Sequence, residues 1–148
     1  MITIDFVLVD GFAAVVHDCN QTTRDIDICI LFSHEEIYSL LDALKSINPV
    51  LRNTPTKKSL AAPTQNISQL RSLHLTTDLG IIDVVSHIEG VGGYHDVLKN
   101  SVELNLFNKI CRVISVDDLI KSKKTLGRHR DLAVVEELAV IKKERKSS

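Results

Sequence analysis

The chain has 148 residues, 44% hydrophobic and 25% charged, with a formal net charge of −1. That length and composition fit one globular domain with its own core, residues 1–148, and the near-zero charge excludes a global field that would draw the chain to nucleic acid or to a membrane. Cys19, Cys29 and Cys111 are odd in number and lack any CxxC spacing, so the expectation is a reducing compartment with no disulfide framework. No apolar run approaches the roughly 18 residues of a membrane span, and no basic lead precedes the apolar start, so the expectation is a cytoplasmic protein.

Residues 4–9, IDFVLV, read as a first strand, and GFAAVVHD after it as a short helix. DIDICILF, 25–32, reads as a second strand rich in Ile. Ser33 is then an N-cap with Glu36 three residues on, and Ile37, Leu40, Leu41 and Leu44 form one apolar stripe on the helix that follows. Residues 48–66 hold all three prolines, Pro49, Pro55 and Pro63, and read as a long irregular loop. Residues 73–88 give one or two strands, GVGGY a turn, and YHDVLKN a helical turn. Residues 101–107 and 109–115 form a hairpin about Asn108. Ser115 caps a helix that Gly127 ends, and a last helix runs from about Arg128 into a frayed charged tail at 142–148. Strands and helices mix without strict alternation, so the fold class is α+β: a mixed sheet with helices packed on it.

Side chains alternate along a strand, so Asp25 and Asp27 point one way while Ile26, Ile28 and Ile30 point the other. Two carboxylates this close repel each other, and burying them is costly unless a cation sits between them. Asp83, inside GIIDVVSH, is a third acid in an apolar run. If its strand lies beside the first pair, the three complete a carboxylate cluster suited to Mg²⁺ or Mn²⁺, which takes hard oxygen ligands and shares them with substrate phosphates. Surface DxD pairs are common at strand ends, and only the second misplaced acid favours the metal reading. Asp5, Asp78, Asp117 and Asp118 read as edge or capping residues.

VLVDGFAAVVHDCNQTTRDIDICI resembles the opening of the DNA polymerase β-like nucleotidyltransferase superfamily, and within it the minimal bacterial branch of AbiEii-type abortive-infection toxins. LGIIDVV is similar to its later carboxylate strand, and LIKSKKTLGRHRDLAVVEEL to its C-terminal segment of Lys, Gly-Arg, a basic residue and Asp. The resemblance implies a nucleotidyltransferase fold and metal-dependent transfer of an NMP from an NTP to a hydroxyl of an RNA end, a protein or a small molecule. It implies catalytic and metal-binding roles for Asp25, Asp27 and Asp83. It also implies nucleotide contacts from Gly11, Thr23, Lys123, Arg128 and Asp131, and a toxin–antitoxin or phage-defence role with an antitoxin partner. Lys121 and Lys124 read as a solvated face. The chain departs from the pattern in Asp10 before Gly11, in Gln21 where a basic residue is usual, in Asp18 where Gly is frequent, and in the absence of a helix before the first strand. An acid beside a triphosphate adds repulsion, so a catalytically degenerate fold used for nucleotide or protein binding is the alternative. Exposure of one sheet face would allow a homodimer.

The six histidines form no HxxxH or HExxH, so His17 with Cys19, or His87 with His95, make no zinc site. Ser/His/Asp hydrolysis lacks its GxSxG elbow, and GVGGY lacks the spacing of a dinucleotide fingerprint.

Overall fold

The computed structural model of the chain describes residues 5–20, 23–51, 71–106 and 108–147. Within them the order is β1 (Val7–Leu8), α1 (Asp10–Val16), β2 (Asp25–Cys29), α2 (His34–Ala43), a 3-10 turn (Lys45–Ile47), β3 (Val50–Leu51), β4 (Ser72–Thr77), β5 (Gly80–Val85), β6 (His87–Ile88), β7 (Gly92–Gly93), α3 (Tyr94–Asn100), β8 (Val102–Leu106), β9 (Lys109–Val113), α4 (Val116–Leu126) and α5 (His129–Ser147). Seven strands build one sheet in the order β3-β4-β5-β2-β1-β9-β8, and β6 pairs with β7 apart from it. The sheet is mixed: β2 runs parallel to β5 and β1 parallel to β9, while the other neighbours are antiparallel. This is the α+β architecture expected from the residues.

Register explains the core. Leu8 lies opposite Ile28 and Val113, Ile28 opposite Val84, and Val84 opposite Leu73, so these apolar side chains share one face and are buried. Asp25, Asp27 and Asp83 fall on the other face by alternation. On α2, Ile37, Leu40 and Leu41 are buried, as their spacing requires. Ser33 Oγ accepts the Glu36 N–H at 3.1 Å, and Ser115 Oγ accepts that of Asp118 at 3.1 Å, so both expected caps form. Gly127 ends α4 at φ 66°, where a Cβ would be strained, and Asn108 takes φ 64° in the hairpin between β8 and β9.

Two expectations are corrected. Residues 50 and 51 are not loop: Val50 and Leu51 pair with Thr76 and Leu75 as an edge strand, two β-formers hidden by the proline beside them. The rest of that loop, from residue 52 to 66, lies outside the described residues, as does Gln21. The expected frayed tail is helical through Ser147. The helix is tied down by Lys142 to Asp117 at 2.5 Å and by Arg145, whose guanidinium donates to His17 Nδ1 at 3.1 Å and lies 3.6 Å from Asp18. Residues 72–85 resolve into two strands around a tight turn at Asp78 and Leu79, and residues 87–88 into a third short one. No described helix is long and apolar enough to cross a membrane.

Candidate active site

The parallel pairing of β2 with β5 sets Asp27 directly opposite Asp83, with Asp25 two pairs further along opposite Ile81. Adjacent strands lie about 4.8 Å apart, so the two acids face one another across a single strand spacing. Sequence spacing alone cannot supply this meeting, because 56 residues of chain separate the two. All three acids are half-buried. The strain of this crowding falls on Asp27, whose carboxyl is pushed up to about 7. Burial is the main cause, followed by repulsion from Asp10, Asp83 and Asp25, and the Phe12 backbone N–H pulls partly the other way.

Gly11, in the first turn of α1, closes over this cluster. A Cβ built there would lie 3.6 Å from Thr23 Oγ1 and 4.0 Å from Asp27 Oδ2, ordinary contacts, so steric necessity does not demand glycine. The residue with the unusual backbone is Asp10, at φ 56°. Thr23 donates through Oγ1 to the Asp25 carbonyl at 3.2 Å, which steadies the entry to β2.

The basic residues form a chain of ion pairs. Lys123, on α4 and almost fully buried, donates to Asp10 Oδ1 and lies 3.7 Å from Asp131. Asp131, in the first turn of α5, accepts from the Arg128 backbone N–H at 3.2 Å and from its guanidinium at 2.5 and 3.2 Å. These bonds hold the Asp131 carboxyl below the usual range and raise the Arg128 guanidinium. The reciprocal bond to the N-cap amide is half of a capping box, so Asp131 both starts α5 and aligns the two cations. Of the eight residues singled out from sequence, the fold thus gathers Asp25, Asp27, Asp83, Gly11 and Thr23 directly, and ties Lys123, Arg128 and Asp131 to them through Asp10. Lys121 and Lys124 are exposed.

Two neighbours of the site were not legible in advance. Asp10 read only as a departure from a glycine pair, yet it is the bridge between α1 and α4. His74, on β4, lies opposite Asp83 and its Nδ1 is 2.8 Å from Asp83 Oδ1. The alternation of SLHLTT hinted that His74 faces the polar side, but only the strand register names its partner.

The donor set suits a hard divalent cation, since three carboxylates share one face of the sheet. Asp27's raised pKa, owed first to burial and then to the neighbouring acids, marks a charge that such an ion would stabilise. Among the described residues no three His, Cys, Asp or Glu side chains are already arranged to hold a metal, so coordination requires side-chain rotation at Asp25, Asp27 or Asp83. His17 is instead a structural residue, buried with its Nε2 donating to the Ile114 carbonyl at 2.7 Å, and burial lowers its pKa.

A mixed seven-stranded sheet with helices packed on it, similar over most of its length to a solved nucleotidyltransferase, gives the class of fold: it is a nucleotidyltransferase-type fold. Among solved structures it is similar to the lincosamide antibiotic adenylyltransferase LnuA in its lincomycin-bound form, with a TM-score of 0.56 and 15% identity over 92% of this chain and 86% of that one. No protein-family model matches the chain, and no curated protein sequence matches it.

Proposed function

We propose that this chain is a metal-dependent nucleotidyltransferase, moving an NMP from an NTP to a hydroxyl with release of pyrophosphate. The observation that carries the reading is Asp27 opposite Asp83 on adjacent parallel strands, inside a sheet shared with an adenylyltransferase. Asp25, Asp27 and Asp83 would hold Mg²⁺ or Mn²⁺, with Asp83 also bordering the acceptor. A bound divalent ion would neutralise the triphosphate and polarise the phosphorus under attack. The Gly11 backbone and Thr23 would border the phosphates, with Lys123 and Arg128 released from their acids to meet charge on them. LnuA's lincosamide acceptor favours a small-molecule hydroxyl here, with an RNA end or a protein side chain as the other acceptors of the class. A toxin–antitoxin or phage-defence setting, with an antitoxin partner, follows from the resemblance to AbiEii-type proteins, and a neighbouring antitoxin-like gene is the observation that would support it.

Incubation of the protein with each α-labelled NTP, Mg²⁺ and a mixture of cellular RNA, protein and small metabolites tests the activity. Label leaving the NTP pool for an acceptor, in wild type and not in the Asp25→Ala/Asp27→Ala variant, supports the reading. Equal labelling by the two proteins would sink it.

One observation favours a second reading. Asp10 occupies Lys123 and adds charge beside Asp27, which opposes triphosphate binding. On that reading the fold is a degenerate nucleotidyltransferase kept as a binding module, and millimolar NTP would give no metal-dependent binding.

A further inference from the structure

We infer that His74 is a positioning residue that fixes the carboxylate of Asp83 as a ligand beside Asp27 for the metal-bound nucleotide; this rests on the reading proposed above. Antiparallel pairing of β4 with β5 sets His74 directly opposite Asp83 and on the same face, and the imidazole Nδ1 is 2.8 Å from Asp83 Oδ1. Ser72, two residues earlier on the same strand and so on the same face, lies with its hydroxyl 3.4 Å from His74 Nε2. A carboxylate oxygen accepts, so Nδ1 carries the hydrogen and Nε2 is left to accept from the Ser72 hydroxyl. The Asp83 carboxylate thereby selects the Nδ1–H tautomer, and the Ser72 hydroxyl, which can donate as well as accept, satisfies the Nε2 left bare.

The consequence falls on Asp83. Unanchored, a carboxylate facing Asp27 across one strand spacing would turn away from it, because like charges repel. With Oδ1 held by His74, one oxygen is committed and Oδ2 remains available. Among the described residues Asp83 makes no other side-chain hydrogen bond. Asp83 therefore offers a single oxygen of defined direction, as a ligand oriented by an outer partner does. The side chains of His74 and Asp83 are 36% and 20% exposed, so the pair borders solvent, where an acceptor would enter, and is not a core contact.

The test measures ATP affinity in excess Mn²⁺ by calorimetry for the full chain and for His74→Ala, His74→Asn and Asp83→Ala. It is joined by ¹⁵N NMR of the His74 ring in the metal-free protein. Asn places an amide donor near the position of Nδ1, so it keeps the bond that Ala removes. The expected results are a loss of about tenfold in affinity for His74→Ala, recovery to within about threefold for His74→Asn, and the Nδ1–H tautomer in wild type. Wild-type affinity in His74→Ala alongside a loss in Asp83→Ala would overturn the inference while leaving the proposed function standing. The Nε2–H tautomer would also overturn it. No Mn·ATP binding by wild type would remove the proposed function and this inference together. If His74→Ala fails to fold, Asn with wild-type affinity against a loss for His74→Asp, which keeps size and drops the donor, decides the point.

Discussion

Asp27 concentrates the conflict between stability and chemistry. Its carboxyl is pushed up to about 7, far above the ordinary 3.8, so the folded protein holds a proton there that the unfolded chain releases. The sign follows: this group's contribution to stability is full below pH 3.8 and is lost as pH rises through about 7. Asp27→Asn is therefore expected to be more stable than wild type at pH 8, by on the order of 1–2 kcal/mol after solvent screening, and equal to it near pH 4. Chemical denaturation at the two pH values checks this. A carboxylate retained at such a cost points to a ligand that repays it. In keeping with that, transfer activity is expected to rise with pH through about 7, with the midpoint moving down as Mg²⁺ is raised, because metal and proton compete for one acid. Asp10 makes the second residue-scale test. It holds a left-handed backbone at φ 56° and occupies Lys123. Asp10→Gly relieves the backbone and frees the cation, so Mg·NTP affinity is expected to rise several-fold by calorimetry. Lys123→Ala leaves Asp131 buried beside an unfilled cation position and is expected to destabilise by about 3 kcal/mol.

The elements that sequence revealed best are those with local causes. Caps at Ser33 and Ser115, the Gly127 stop and the Asn108 hairpin each depend on residues within a few positions, and each formed. What sequence hid depends on long-range pairing. Val50 and Leu51 become a strand only because β4 offers an edge, and His74 gains meaning only from its register with Asp83. The C-terminal segment looked frayed because its charges resemble a solvated tail, and its anchor, His17, is 128 residues away from Arg145. That anchor carries its own prediction. Burial lowers the His17 pKa below 6.5, so its stabilising effect is full above pH 6.5 and is lost as pH falls through the lowered value. Protonated His17 cannot accept from Arg145. The unfolding temperature of Asp27→Asn, freed of the opposing acid, is therefore expected to fall between pH 7 and pH 5. Arg145→Ala is expected to lower stability by about 1 kcal/mol and to increase amide exchange in the last turns of α5 first.

On the scale of the whole molecule, the sheet solves one geometric problem. It brings acids from two distant segments to facing positions on one side, while Leu8, Ile28, Leu73, Val84 and Val113 make the other side a core. The fold class was legible because strands and helices announced themselves through alternation and caps. The candidate acids were legible because charge inside apolar strands is expensive. The ion-pair chain through Asp10 was not, since nothing local in VDG or in LIKSKK implies that the two segments touch. Likeness to LnuA extends over most of both chains, so the shared feature is the whole fold.

The central claim is that the three acids form a metal site for a nucleoside triphosphate. Isothermal calorimetry with each NTP, with and without excess Mg²⁺, tests it most directly. The prediction is heat of binding for at least one NTP only when Mg²⁺ is present, and its disappearance in Asp25→Ala/Asp27→Ala protein that keeps its fold by circular dichroism. Metal-independent binding, or unchanged binding by the double variant, would contradict it.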